Sequence, residues 1–277
     1  MVDKNYGRSN YLRSFLANSY GKVVEVFRHS LNVKFGNHYL HIGGDELGLT
    51  AFGISLPIDE VFRIIRNSEI NDLVIYQDGQ LRFYGRNVLK YDLKEFHETN
   101  LKISSHEVSK QSLELLFRTL QNMKIEQQIG LDTMDLKSLE PILLNFSKKN
   151  SDLLVQNLIG RGKGLTPSGD DMLVGILMTL TSIKGQKYNT QVLRESLMSP
   201  NFGNTTNVSK NYIQAIVDGY ASEDLKILSE NLNCNNEAVF ERLISGILTM
   251  GHTSGHDTMM GIYLASMMVL EGEKDDK

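Results

Sequence analysis

The spacing of apolar residues predicts two kinds of structure along this chain. Between residue 22 and about residue 91, apolar residues occur in short β-branched or aromatic runs separated by Gly, Asn and His, which is typical of short strands. Alternation over residues 31–35 predicts a strand with one buried face. LVIYQDGQLRFYG predicts a hairpin across Asp78-Gly79, and residues 58–66 predict a helix.

Beyond Asn100 the apolar residues recur at the helical period of 3.6. Helices are expected at residues 105–124, 134–147, 172–183, 190–198, 206–220, 224–231, 237–250 and 258–270, with an apolar lead-in at 152–159 and a short helix at 11–17. The prediction is an α+β protein with a small, mostly antiparallel β-rich domain at 1–100 and an α-helical bundle at 101–277. Two nearly all-apolar helices, at 172–183 and 258–270, are expected at the centre of the bundle.

Composition and charge narrow the classes of function. The chain of 277 residues has 41% apolar and 22% charged residues, as expected of a core-forming globular protein. The net charge of −4 disfavours nucleic acid and anionic membranes as partners. The one cysteine, Cys234, excludes an intrachain disulfide, and no apolar run reaches the roughly 20 residues of a membrane span. We expect a cytoplasmic protein.

Two related motifs carry the candidate chemistry. Residues 160–175 read GRGKGLTPSGDDMLVG and residues 251–261 read GHTSGHDTMMG, and each runs into one of the two apolar helices. Aligned on Ser-Gly-x-Asp, the motifs match at one offset in four pairs: Ser168 with Ser254, Gly169 with Gly255, Asp171 with Asp257, and Gly175 with Gly261. If the helices lie side by side in parallel, both motifs converge on one pocket.

A purely structural interpretation of the motifs is also available. Ser168 and Ser254 fit N-cap positions with an acidic residue three positions on, a variant of the capping box worth about 1 kcal/mol. Gly175 and Gly261 would then only allow close helix packing. Under this interpretation the chain is a non-catalytic structural protein.

Three features favour a binding site instead. The first motif holds more glycine, hydroxyl and charged residues than a cap needs, and a helix N-terminus offers unpaired N–H donors and a positive field to an anion. Asp170 lies beside Asp171, and both cannot cap, so one carboxylate is available for a ligand. The motif also occurs twice. We therefore predict an anion site shaped by Arg161, Gly162, Lys163, Gly164, Thr166, Ser168, Gly169, Ser254 and Gly255.

The acidic residues and one histidine are the candidate catalytic groups: Asp170, Asp171, Asp257 and His252. Asp171 and Asp257 are expected to bind a substrate amide or a divalent cation such as Mg²⁺, and His252 is a candidate acid or base. The pair His252 and His256 is a poor zinc site, because Ser254-Gly255 interrupts the helix it would need. The motif also fails the P-loop and dinucleotide patterns. The chain has no Gly-x-Ser-x-Gly elbow, and Cys234 lies in a polar segment without a motif, so nucleophilic catalysis by serine or cysteine has little support. Residues 202–206 are interpreted as a structural loop.

At these motifs the sequence resembles a known family. The first motif, the helix start with Thr205, Thr206 and Ser209, and the second motif are similar to a bacterial family that includes one subunit of the three-component oxamate carbamoyltransferase of anaerobic allantoin breakdown. The resemblance covers roughly residues 150–270.

The resemblance implies transfer of a carbamoyl group between oxalurate and carbamoyl phosphate, in company with two other subunits. It implies no catalytic residues, so the roles given above come from residue chemistry alone. Two alternatives stay open. One is a stand-alone helical hydrolase using Mg²⁺ held by Asp170, Asp171 and Asp257, and the other is a non-catalytic structural subunit.

Overall fold

The chain folds into two compact units. A computed structural model describes residues 6–132, 136–199 and 204–275. The first unit contains the chain up to Lys102 together with Tyr220–Glu223, and the second contains Ile103–Gly219 and the chain from Asp224 onward. The α+β class predicted from the sequence is confirmed. Among the described helices, none has the length and apolar character needed to cross a membrane.

The first unit is built on one sheet. Its nine described strands lie in the order β8-β7-β6-β2-β3-β4-β5-β1-β9. Neighbours are antiparallel except β4 with β5 and β1 with β9. The strands are β1 (Gly7–Ser9), β2 (Ser19–Val26), β3 (Ser30–Phe35), β4 (His38–Gly44), β5 (Gly53–Leu56), β6 (Leu73–Gln77), β7 (Gln80–Tyr84), β8 (Val88–Asp92) and β9 (His97–Thr99).

Alternation of apolar residues gives this sheet one core face. Val23, Val33, Val74 and Phe83 belong to a buried cluster that also includes residues of the helix α1 (Ile58–Asn67). The predicted hairpin across residues 78 and 79 joins β6 to β7, and both residues have positive φ, at 53° and 91°. Such a turn matches the right-handed twist of the strands that it joins.

The other described helices form the second unit, apart from the first residue of α8. They are α2 (Lys110–Asn122), α3 (Glu140–Leu144), α4 (Lys148–Leu158), α5 (Ser168–Ser182), α6 (Lys187–Leu197), α7 (Asn207–Val217), α8 (Glu223–Glu230), α9 (Glu237–Leu248) and α10 (Ser254–Asp275). The two apolar helices predicted for the centre are α5 and α10, and every residue of α5 except Thr181 is buried. They form the most extensive helix contact in the described part.

Some predicted boundaries are wrong because serine caps override the apolar period. The helix predicted at 105–124 begins at Lys110, since the Ser109 hydroxyl accepts the N–H of Ser112 at 3.2 Å. The lead-in predicted at 152–159 belongs to α4, which the Ser147 hydroxyl caps through Asn150 N–H at 3.3 Å. The short helix predicted at 11–17 is a single 3₁₀ turn at Asn10–Ser14.

Parts of other predictions lie outside the described residues. The helix predicted at 134–147 starts there, and its described portion contains the short α3 rather than one long helix. The loop predicted at 202–206 is described only from residue 204.

Candidate functional site at two helix starts

Glycines bring α5 and α10 together. A Cβ added to Gly175 would lie 2.2 Å from the carbonyl oxygen of Thr258, and one added to Gly261 would lie 2.1 Å from that of Met172. These neighbours are 83 and 89 positions apart in sequence. At the starts of the two helices Thr166 lies beside Ser254, 88 positions on, and further along a Cβ on Gly175 would also lie 3.1 Å from Ile262 N, 87 positions on. Because nearly the same offset holds at both levels, the helices run in parallel and start at the same level.

The helix starts also repeat a local arrangement. A Cβ on Gly169 would lie 1.9 Å from the carbonyl oxygen of Leu158 at the end of α4, and one on Gly255 would lie 2.1 Å from that of Ile247 near the end of α9. In each motif, the glycine at the second helical position therefore lets the new helix pack on the end of the preceding one. The similarity of the two sequence motifs therefore reflects a repeated local structure.

The two motifs are joined by hydroxyl groups. Thr166 Oγ1 and Ser254 Oγ lie 2.8 Å apart. Both side chains also hydrogen-bond the Asp171 carboxyl group. The structure thus brings together Thr166, Asp171 and Ser254.

Asp171 lies in an environment that favours its protonated form. Only 8% of its surface is exposed. Desolvation by burial raises the pKa of Asp171 well above 3.8, and the charges of Asp257 and Asp170 raise it further, against the lowering effect of the Ser254 and Thr166 hydroxyls. Its Oδ2 atom has no hydrogen-bond partner among the described residues.

Asp257 is completely buried at the matching position of α10. Its Oδ1 atom accepts the N–H of Gly130 at 2.9 Å. Its Oδ2 atom, like that of Asp171, is without a hydrogen-bond partner in the part of the chain that the structure describes. Unpartnered buried carboxylate oxygens are rare in folded proteins, and two on neighbouring helix starts point to a ligand.

Asp170 lies in a different setting from its neighbour Asp171. Its Oδ1 accepts the N–H of Gly160 at 2.7 Å, and its Oδ2 accepts the hydroxyls of Thr205 and of Ser209, the latter at 2.5 Å. Asp170 is 1% exposed. These bonds tie the glycine-rich loop to the start of α7, which is a positioning arrangement; the predicted catalytic role of Asp170 stays a prediction.

The capping interpretation of the motifs is wrong for the first helix. α5 begins at Ser168 itself, its N-cap is Pro167, and no side chain caps it. The expectation of unpaired N–H donors is also wrong for three residues of this turn. Gly169 donates to Arg161 O, while Asp170 and Asp171 donate to Pro167 O. Because these N–H groups are already hydrogen-bonded, a ligand at this site would interact mainly with the positive field of the helix start and with side-chain hydroxyls.

Five of the other predicted residues are exposed on the surface. Arg161, Gly162, Lys163 and Gly164 are exposed. Gly162 has a φ of +114°, and a Cβ there would lie 2.6 Å from Ser168 N, so this loop needs glycine at that position. His252 is exposed in the turn before α10, and the Nδ1 atom of His256 has no partner within the described residues.

The geometry does not favour the predicted Mg²⁺ set. Among the described residues, no group of three or more His, Cys, Asp or Glu is arranged to hold a metal ion. Asp170 faces Gly160, Thr205 and Ser209 rather than a shared centre with Asp171 and Asp257.

Two residues of this cluster were missed by sequence reasoning. The N–H of Gly130 donates to Asp257 Oδ1, and a Cβ added to Gly130 would lie 2.1 Å from Ser168 Oγ. Tyr212 of α7 lies near Asp171. Burial raises the pKa of Tyr212, and the negative charge of an ionised Asp171 would raise it further. No motif marks Gly130, and the helical period of α7 gives Tyr212 no distinction from other half-buried residues.

A cavity of about 310 Å³ lies further along α10. It is lined by Leu120, Gln121, Ile125, Glu126, Leu136, Met260 and Tyr263. Neither Asp171 nor Asp257 lines this largely apolar cavity, so the unpartnered carboxylates and the cavity are separate features.

Comparison with known proteins agrees with the motifs. Residues 158–266 match the family model described as oxamate carbamoyltransferase subunit AllH. Over these residues the chain is similar to the AllH family. The AllH match contains both motifs and the start of α7, whereas Gly130 and the first unit up to Lys102 lie outside it. No solved structure matches the chain.

Proposed function

We propose that this protein is a subunit of a carbamoyltransferase of the oxamate carbamoyltransferase type and binds a small, carbamoyl-bearing anion at the starts of α5 and α10. One observation carries the proposal. Within the AllH segment, the buried Asp171 and Asp257 each present a carboxyl oxygen that has no partner among the described residues. The proposed reaction belongs to nitrogen recovery from allantoin and other purine products.

The two carboxyl groups suit the two ends of a carbamoyl group. Asp171, with its raised pKa, holds a proton that it can donate to a carbonyl oxygen. Asp257 can accept an amide N–H through its free Oδ2. The exposed Arg161 and Lys163 add positive charge to the glycine-rich loop that precedes α5, and this charge attracts an anionic substrate.

The protonated Asp171 also suits the chemistry of transfer. When phosphate attacks the carbamoyl carbon of oxalurate, the bond from that carbon to the oxamate nitrogen breaks, and this nitrogen must take up a proton. A carboxylic acid at the site is a candidate donor of that proton. Asp170, bound by Thr205 and Ser209, would hold the loop in place during transfer.

Partner subunits are part of the proposal, since the AllH family is described as one subunit of the enzyme. We propose that activity requires those partners. The alternative of a stand-alone Mg²⁺ hydrolase has less support, because the described residues offer no suitable ligand set. The alternative of a structural subunit predicts no ligand binding at all.

A thermal-shift measurement tests the site. The purified chain, and the chain with its partner subunits, would be heated with carbamoyl phosphate, oxalurate, oxamate or phosphate, because a specific ligand raises the midpoint by mass action. We expect a shift of about 2 to 3 kcal/mol in stability at a hundredfold excess over Kd, and its loss in Asp257→Asn.

Asp59→Asn is a matched control, since Asp59 is an exposed acid in the first turn of α1. It should leave the ligand shift unchanged. The proposal would be overturned by the absence of any ligand shift in both preparations, or by wild-type binding and activity in Asp171→Asn and Asp257→Asn together.

A further inference from the structure

The outward face of the sheet in the first unit carries an unusual set of side chains. On β2, β6, β7 and β8, the residues that alternate with the buried core point away from it. The strand register aligns them in two rows across the sheet. One row contains Lys34, Lys22, Leu73, Tyr84 and Val88, and the other contains Tyr20, Ile75, Arg82 and Lys90.

Each row contains two cations directly opposite each other. Lys22 pairs with Lys34 across β2 and β3, and Arg82 pairs with Lys90 across β7 and β8. Like charges at directly opposed positions destabilise a sheet. The Arg82 guanidinium donates to Gln80 Oε1 at 2.6 Å, and in the described part of the chain none of the four cations forms an ion pair. A chain with net charge −4 thus carries, in its described part, four cations without an ion pair on one sheet face.

Apolar side chains lie exposed among these cations. Leu73, Tyr84 and Val88 are consecutive neighbours across β6, β7 and β8, and they are 38%, 37% and 51% exposed. Tyr20 on β2 is 76% exposed. An apolar centre with charges around it is the composition of a protein interface, in which the core is apolar and the rim polar.

We propose that this cationic sheet face, formed by the apolar row Leu73, Tyr84 and Val88 and by the four cations, binds a protein partner whose surface presents carboxylates around an apolar patch. The partner is another subunit of the same carbamoyltransferase, so the inference rests on the proposed function. A partner carboxylate between two opposed cations removes their repulsion, which explains why the sheet tolerates them. Aliphatic Leu73 and Val88 offer nothing to a phosphate backbone, which favours protein over nucleic acid.

Charge reversal tests this face without weakening the sheet. Lys22→Glu would create an opposite-charge pair with Lys34, and Lys90→Glu would create one with Arg82. The double variant should melt at or above the wild-type temperature. It should bind the purified remaining subunits of the carbamoyltransferase at least about tenfold more weakly, because like charges would then face each other across the interface.

Two further variants sharpen the result. Lys149→Glu with Lys187→Glu changes the net charge equally at exposed positions of the second unit, and it should bind like wild type. Leu73→Ser with Tyr84→Ser should weaken binding by a similar factor through loss of the apolar centre. Binding of the wild type should also weaken as salt is added.

The outcomes separate the two proposals. If the wild-type chain fails to bind the remaining subunits, the proposed function is overturned, and so is the proposal that one of these subunits binds the cationic sheet face. If the wild type binds and the Lys22→Glu and Lys90→Glu variant binds equally well, only the cationic sheet face is overturned. Charge-dependent binding of an oligonucleotide or self-association of the chain, without subunit binding, would also overturn it.

Discussion

The hydroxyl groups of Thr166 and Ser254, which belong to different motifs, lie 2.8 Å apart and both hydrogen-bond Asp171. The second motif therefore helps to set the chemistry of a carboxyl group in the first. Neither motif alone would give Asp171 this environment, because the charge of Asp257 also acts on it. Stability measurements on variants of this cluster can check these relationships.

Asp171→Asn should stabilise the protein while it impairs the proposed binding. The folded-state pKa of Asp171 is raised above 3.8, so its contribution to stability is full below pH 3.8 and is lost as pH rises through the folded pKa. Asparagine has no such proton to lose. We expect a higher free energy of unfolding than that of the wild type at neutral pH, measured by urea unfolding.

The pH dependence distinguishes this cause from a general packing effect. The advantage of Asp171→Asn over wild type should shrink as pH falls toward 4. An advantage of equal size at pH 4 and pH 8 would contradict the raised pKa.

Gly175→Ala should destabilise the protein strongly. The added Cβ would lie 2.2 Å from Thr258 O, so α5 and α10 would have to separate. Overpacking of this kind costs about 1 to 3 kcal/mol or more, which denaturant unfolding would measure.

Gly246→Ala provides the control for this prediction. Gly246 lies inside α9 with nothing within 4 Å of an added Cβ. Alanine there should stabilise by about 0.5 to 1 kcal/mol, because it lowers the entropy lost on helix formation. Equal effects of the two substitutions would show that α5 and α10 tolerate separation.

Asp170→Ala should act mainly on folding. It would leave the N–H of Gly160 and the hydroxyls of Thr205 and Ser209 without their acceptor in a buried setting. Because each buried unsatisfied group costs about 1 to 3 kcal/mol, we expect a loss of several kcal/mol in chemical denaturation.

Ser209→Ala removes one of these donors together with its need for an acceptor, so it should cost only about 1 kcal/mol. Asp170→Ala with wild-type stability but no ligand binding would instead assign Asp170 to the ligand, as the sequence-based hypothesis has it.

His41 should make the protein less stable in mild acid. It lies half-buried on β4, its Nδ1 atom is 2.8 Å from Asn32 Oδ1, and the burial of its ring lowers the pKa of His41 from 6.5 to about 4. Between pH 6.5 and pH 4 His41 is therefore protonated in the unfolded chain but neutral in the folded chain. Its contribution to the free energy of unfolding is full above pH 6.5 and is lost as pH falls toward 4. The difference amounts to about 3 kcal/mol.

Unfolding midpoints at pH 5 and pH 7 would measure this effect. His41→Gln should flatten the pH dependence in that window, whereas the exposed His97, substituted in the same way, should leave it as in wild type. An unchanged slope in His41→Gln would mean that other groups cause the acid sensitivity.

The sequence by itself determined the α+β class and most elements. Alternation over residues 31–35, turn residues at 78 and 79, and all-apolar helices after each motif specify these elements locally, because period and turn chemistry act over neighbouring residues. It also determined that Asp171 and Asp257 occupy equivalent positions, since the two motifs match at one sequence offset.

Only the tertiary structure decided what each acidic residue contacts. Asp170 and Asp171 are adjacent in sequence, yet a helix turns consecutive side chains by about 100°, so one meets Thr205 and Ser209 and the other meets Thr166 and Ser254. Gly130, with no motif around it, reaches Asp257 across 127 positions. Burial, hydrogen-bond partners and hence protonation depend on segments brought together from distant parts of the chain, and a pattern along the sequence does not encode those distances.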